Sequence, residues 1–159
     1  MLLFIVVAVA VLAIDLVTKY VFVDSAFTLI PGVLDVIPAI TNAGAAFGIF
    51  YGNTLFLIIF TIIIIDVGLF AYFMFRRKNK AQSNGKVFNI ACGMILGGAL
   101  GNLYDRVFLG HVRDFLKLDF IQFPIFNFAD VFLNIGVGLL IFWMIFMFKT
   151  KDRENRNAN

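Results

Sequence analysis

The sequence predicts a mainly α-helical membrane protein: a four-transmembrane-helix bundle with a small β-cradle or hairpin and an interfacial segment on its outer face. Three observations lead there. Of 159 residues, 62% are hydrophobic and only 14% charged, against roughly a quarter charged in soluble domains. Four segments, near 2–23, 54–75, 87–103 and 131–148, are apolar over the roughly 20 residues needed to cross hydrocarbon. Most Lys and Arg residues gather beside the same ends of these segments. By length the chain reads as one integral membrane domain, 1–159.

The basic residues set the orientation. Arg76, Arg77, Lys78, Lys80 and Lys86 lie between the second and third segments with no acid among them, and Lys149, Lys151, Arg153 and Arg156 follow the fourth. These nine of the thirteen basic residues mark a cytoplasmic side by the positive-inside rule. Loop 76–86, tail 149–159 and both termini are then expected in the cytoplasm, with 24–53 and 104–130 outside. The net charge of +3 is a topology signal, and no basic groove supports a nucleic-acid partner.

Within the first segment, Ala8-Val9-Ala10 imitates a cleavage box, but no basic residue precedes it and apolar sequence resumes after Lys19, so a retained helix is expected. Asp15 and Lys19 share one helical face. They read either as an interfacial pair with Lys19 snorkelling outward or as part of a polar site. From Asp24 to Gly52 there is no Lys or Arg, and Pro31-Gly32 separates two β-prone runs, Phe27–Ile30 and Val33–Ile37, which predicts a hairpin. The small-residue stretch Asn42-Ala-Gly-Ala-Ala-Phe-Gly48 follows, either a tight turn or a place where another chain approaches closely.

The second helix is apolar except for Asp66 and the basic residues at its end. Asp66 lies toward the basic end, away from the other acids, and is expected to be neutral or locally paired. The third carries Gly93, Gly97 and Gly101 at spacing four, beside Gly98 and Ala99, a pattern that allows close helix packing and would press Asn102, Asp105 and Arg106 against neighbours. The lone Cys92 forms no intrachain disulfide, and an apolar setting disfavours its thiolate. Asp105 to Asp130 then leaves and re-enters the membrane, with Phe115, Phe120, Phe123, Phe126 and Phe128 suited to an interface. The tail after Lys149 is expected to be flexible.

Elimination narrows the chemistry. Ser25 and Ser83 are the only serines, His111 the only histidine and Glu154 the only glutamate. A serine triad has almost nothing to build with, HExxH zinc chemistry is excluded, and no metal site is expected. Aspartate remains, and Gly97 to Asp130 holds Asp105, Asp114, Asp119 and Asp130. Asp114 follows the exit from helix three and Asp130 opens helix four, so adjacent helices can bring the two together. Two neighbouring carboxylates do not both ionise easily: one keeps a proton as acid while the other polarises water as base. That is aspartic-protease chemistry, and it needs no cofactor. Two plainer roles stay open, Asp130 as a helix cap and Asp114 in a surface ion pair with Arg113. The rival functions are a proton-coupled transporter with a relay through Asp15, Asp66, Asp105 and Asp130, and a helix-packing partner built on the glycine face.

Four blocks in chain order carry a resemblance: Asp15-Leu-Val-Thr-Lys19, Asn42 to Gly48, Gly97 to Arg106 with Gly110-His-Val-Arg-Asp-Phe115, and Pro124-Ile-Phe-Asn-Phe-Ala-Asp130. Together the chain resembles the lipoprotein signal peptidases of bacteria, or signal peptidase II, which are intramembrane aspartyl proteases. The resemblance implies catalytic Asp114 and Asp130, supported by Asp15, Lys19, Asn42, Gly44, Asn102, Asp105, Arg106 and Asn127. Asn127 would lie beside the pair, and Arg106 would serve substrate carbonyls or Asp105. The implied substrate is a prolipoprotein signal peptide, cut just before a diacylglyceryl-modified cysteine and cradled by 24–52, by a monomer among lipids of the bacterial cytoplasmic (inner) membrane, with its site near the outer face. Val131 departs from the small hydroxyl residue that often follows the last aspartate in the family, and Asp66 matches no block.

Overall fold

The computed structural model describes residues 1–44, 49–79 and 85–157, with side chains described as far as Met147. In chain order the elements are α1 (Leu2–Val21), β1 (Phe27–Ile30), β2 (Leu34–Asn42), α2 (Thr54–Lys78), α3 (Lys86–Leu109), β3 (Val112–Leu118) and α4 (Phe128–Asn157). Four helices are long and apolar enough to cross a membrane, α4 over Phe128–Met147. The chain thus has two ends. At the sheet end α1 and α3 finish and α4 begins; at the basic end α2 finishes in Arg76, Arg77 and Lys78.

Helix α3 is the middle of the bundle, packed along α1 on one side and α4 on the other. Its glycines are the reason. A Cβ on Gly93 would run into the Phe4 carbonyl and Val7, one on Gly97 into the Ala8 carbonyl and Val11, and one on Gly98 into the Ala129 carbonyl. Without side chains at these points, backbones approach to van der Waals contact, which replaces the hydrophobic drive that lipid does not supply. Helix α2 rests chiefly on α3 and turns Leu55, Val67 and Phe70 outward, 70%, 60% and 68% exposed.

The sheet has the order β1-β2-β3, all antiparallel. Pro31-Gly32 makes the first turn, with Gly32 at φ +70, a conformation glycine adopts without steric cost. Val36, Phe115 and Leu116 form a buried cluster with Phe22, Phe126 and Phe128 that seats the sheet on the ends of α1 and α4.

Several boundaries differ from expectation. The second strand runs to Asn42, well past Ile37, because β3 gives it a partner: Ile40 lies opposite Asp114 and Asn42 opposite Val112. The phenylalanines of 104–130 suggest an interfacial segment, and β3 lies within it. Helix α3 continues past 103 to Leu109, since Asn102, Asp105 and Arg106 face protein; it stops at Gly110, at φ +79. Helix α4 carries on through the tail expected to be flexible, where Lys, Arg and Glu are good helix formers. Of the Asn42 to Gly48 stretch, 45–48 lie outside the described residues, as do 80–84 with Lys80 and Ser83.

Candidate active site

At the sheet end three buried charges meet. Asp15, Lys19 and Asp105 are each 0% exposed. The Lys19 ammonium lies 2.8 Å from Asp15 Oδ2 and 3.5 Å from Asp105 Oδ2, and donates to Asn102 Oδ1 at 2.9 Å. Burying a charge requires such pairing. The i,i+4 spacing of Asp15 and Lys19 therefore serves an interior site; the snorkelling alternative does not hold. Asp15 also reaches across the bundle, its Oδ1 accepting the Ala129 N–H at 2.9 Å in the first turn of α4.

Arg113 completes this charge cluster. Its Nη2 donates to Asp105 Oδ1 at 2.8 Å, while its Nε and backbone N–H donate to Oδ2 at 3.3 and 3.1 Å. Successive strand residues point to opposite faces, so Arg113 and its neighbour Asp114 part company. The alternative of a surface ion pair between them does not hold, and Asp114 is 2% exposed.

Asn127 connects the two candidate aspartates. Its Nδ2 donates to Asp114 Oδ1 at 2.7 Å, and its backbone N–H donates to Asp130 Oδ2 at 3.2 Å. Asp114 Oδ2 accepts from Asn42 Nδ2 at 2.8 Å, and Asp130 Oδ1 accepts from Asn102 Nδ2 at 2.8 Å. Asn102 Oδ1 takes a second bond, from Asn127 Nδ2 at 3.0 Å. On the opposite flank the Gly44 N–H donates to Asn42 Oδ1 at 3.0 Å, and the Gly44 carbonyl accepts from Arg106 Nη2 at 3.1 Å. Arg106 does not hydrogen-bond Asp105, whose partners are Lys19 and Arg113.

All ten residues singled out in the sequence thus belong to one continuous polar network, and Arg113 is the member that sequence reasoning missed. Period-two alternation in Val112–Leu118 was the available signal. Asp66 stands apart: it is exposed on α2, with no hydrogen-bond or ion-pair partner among the described residues, so no local pair forms. A relay through Asp15, Asp66, Asp105 and Asp130 has no continuity, and the transporter reading falls with it.

The network opens into a cavity of about 420 Å³ between the start of α4, the end of α3 and the sheet. Asp114, Asp130, Arg106, Asn42 and Asn102 present polar atoms to it, while Val112, Phe126 and Ile135 give apolar wall. Burial pushes the Asp114 carboxyl up to about 6, and the nearby negative charge of Asp130 adds to the rise; hydrogen bonds from Asn42 and Asn127 oppose it. A buried carboxyl able to hold a proton, beside a second carboxyl, in a cavity that admits water and a peptide backbone, is equipped for acid–base hydrolysis.

Comparison with known proteins agrees. Residues 7–146 match the family described as signal peptidase (SPase) II. A lipoprotein signal peptidase of Lactobacillus johnsonii is 40% identical over 120 residues, covering 76% of this chain and 73% of that one. One from Shouchella clausii is 37% identical over 156 residues, covering 95% and 98%. A bacterial membrane enzyme solved by the in meso method at 2.3 Å resolution superposes with a TM-score of 0.76 at 38% identity, covering 96% of this chain and 90% of that one. The chain belongs to the signal peptidase II family, multi-pass bacterial membrane proteases of the aspartic type that remove signal peptides from prolipoproteins.

Proposed function

We propose that Asp114 and Asp130 are the catalytic dyad, and that it cleaves the peptide bond just before a diacylglyceryl-modified cysteine. The observation that carries this is the buried Asn127, hydrogen-bonded to both carboxyl groups, which themselves line the cavity. Asp130 takes a proton from water as its oxygen attacks the scissile carbonyl carbon; Asp114 gives its proton to the carbonyl oxygen. Collapse of the tetrahedral intermediate breaks the C–N bond: one of its hydroxyls returns a proton to Asp114 as the C=O re-forms, and the proton taken by Asp130 passes to the departing amine. The dyad ends with one proton, as it began, now ready for the next water. Arg106, anchored on the Gly44 carbonyl, donates to a substrate carbonyl and steadies the extended peptide.

Asp15, Lys19, Asp105 and Arg113 hold the helix ends that present Asn102 and Asn127 to the pair; they act through position. The site lies near the outer face, with both termini cytoplasmic, a reading supported by nine basic residues beyond the opposite helix ends. The hairpin β1–β2, with Phe27, Leu29 and Ile30 exposed, rests in the interface and cradles the substrate. Lipid on the substrate cysteine stays in the bilayer and positions the bond, each buried CH₂ contributing about 0.8 kcal/mol. A single copy carries every described member of the network, so a monomer among membrane lipids is sufficient for the chemistry.

The test is cleavage of a purified diacylglyceryl-modified prolipoprotein by wild type, Asp114→Asn and Asp130→Asn in detergent, with folding checked by thermal unfolding. Both variants are expected to fold and to lose cleavage by about 10²–10⁴-fold, the contribution of a proton-transfer group. Retained cleavage in either would remove that aspartate from the chemistry.

A further inference from the structure

A second cavity, larger than the first at about 620 Å³, lies between α2, α3 and α4 in the half of the bundle nearest the basic end. Gly68 and Tyr72 of α2, Phe88 and Ala99 of α3, and Leu140 and Trp143 of α4 line it. Along α3 it reaches from Phe88 to Ala99, about 16 Å at 1.5 Å per residue, which is roughly half of a 30 Å hydrocarbon core. Along α2 it reaches from Ile64 to Asn79, about 22 Å, so the cavity stops short of the full core that a membrane-spanning peptide helix needs, and a water column would need polar walls.

One end of the cavity is polar, with a cation bonded to its wall. Asn79 lines the rim. Arg76 donates to the Tyr72 hydroxyl at 3.0 Å and to Asn89 Oδ1 at 3.1 Å, with its guanidinium 5.6 Å from the Tyr72 ring centre. Tyr72 donates to the same Asn89 oxygen at 2.8 Å, and Asn89 Nδ2 donates to the Gly85 carbonyl at 2.9 Å. Asn89 is 3% exposed and Tyr72 5%, so a buried polar frame holds one guanidinium against Tyr72, which is itself part of the wall of the apolar slot. The protease chemistry uses none of these residues. Arg77, Lys78 and Lys86 add positive charge to the same end.

We propose that this cavity is a binding site for an anionic phospholipid of the leaflet at the basic end, with an acyl chain in the slot and the headgroup phosphate against Arg76. Basic pockets between transmembrane helices are matched to such headgroups. The n-region of a signal peptide, itself positively charged, is repelled from this end.

The experiment uses the full chain in vesicles of equal parts phosphatidylglycerol and phosphatidylcholine, followed by release into gentle detergent and native mass spectrometry of retained lipid. Wild type is expected to keep phosphatidylglycerol over phosphatidylcholine by about fivefold, the effect of one basic side chain at an anionic surface. Arg76→Gln should bring the ratio near one, and Arg76→Lys should restore much of it. A Cβ on Gly68 meets nothing within 4 Å, so Gly68→Leu has room to start its side chain into the slot and should lower retention of both lipids. Equal retention by wild type, a ratio untouched by Arg76→Gln, or full retention in Gly68→Leu would each overturn the proposal. So would displacement of the lipid by an equimolar synthetic signal peptide, which would give the slot to substrate.

Discussion

Asn127 and Asp130 cap one another across the first turn of α4: the Asp130 N–H donates to Asn127 Oδ1 at 3.1 Å, and the Asn127 N–H donates to Asp130 Oδ2 at 3.2 Å. This is a reciprocal capping box built from Asn and Asp. The cap role and the dyad role, which stood as alternatives from sequence alone, are compatible in one side chain. Asp130 uses one oxygen for the helix and turns the other to Asn102.

A consequence concerns Asn127→Ala. The variant loses the side-chain half of the cap, about 1 kcal/mol, and leaves Asp114 with Asn42 as its remaining hydrogen-bond donor. Cleavage should fall by about 10²-fold, the scale on which a misplaced catalytic group costs rate, while thermal unfolding shows a loss of only a few degrees. A variant with unaltered kcat would remove Asn127 from the positioning of the pair.

The buried charge cluster predicts a strong asymmetry between single and double substitutions. Lys19→Met leaves Asp15 and Asp105 in the interior with Arg113 as the one remaining cation in contact, on Asp105. Breaking a buried pair in this way costs about 3–5 kcal/mol. Lys19→Met with Asp15→Leu removes both partners and should recover a large part of that loss, although the Ala129 N–H then goes without its acceptor. Denaturant unfolding of the two singles and the double measures the coupling; additive effects would show that the pair is not a unit.

Proton binding by Asp114 gives a pH dependence with a defined sign. Its carboxyl moves from an ordinary value of 3.8 up to about 6 in the fold. The folded state then holds a proton that the unfolded chain releases between those values, so this contribution to stability is complete below about pH 4 and is lost as pH rises through about 6. Relative to Asp114→Asn, wild type should lose stability across that window and run parallel above it. In the free enzyme, kcat/KM should fall above the same region, an apparent value that belongs to the pair. Because the Asn42 hydrogen bond opposes the rise, Asn42→Ala should move this alkaline limb upward. A downward move would contradict the assignment.

Much of this arrangement was legible in the sequence, for identifiable reasons. The glycine spacing of α3 announced close packing, and the four-residue separation of Asp15 and Lys19 placed both on one face. Depth was not legible. Whether that pair lay at the interface or inside depended on Asp105 and Asn102 arriving from α3, a contact between residues more than eighty positions apart. The partner of Arg113 is hidden because the phenylalanines around β3 suggest an interfacial segment; paired with β2, the strand turns Arg113 and Asp114 to opposite faces. The Tyr72, Arg76 and Asn89 cluster was signalled only by an asparagine inside an apolar run.

The sharpest structural prediction concerns Gly101. Its missing side chain faces the Asp15 carboxylate, which a Cβ would strike. Asp15 has little room to retreat, since Lys19 grips one oxygen and the Ala129 N–H the other. Gly101→Ala should therefore destabilise by about 1–3 kcal/mol, as overpacking does, and should depress cleavage by disturbing the start of α4 through Ala129. Gly138→Ala is the control: a Cβ there meets nothing within 4 Å, so the gain in helix propensity should leave it as stable as wild type or more so by up to about 1 kcal/mol. Thermal unfolding of the two variants side by side separates close packing from a general intolerance of glycine substitution. If Gly101→Ala proved as stable and active as Gly138→Ala, the tight seat of Asp15 against α3 would not be what holds the charge cluster together.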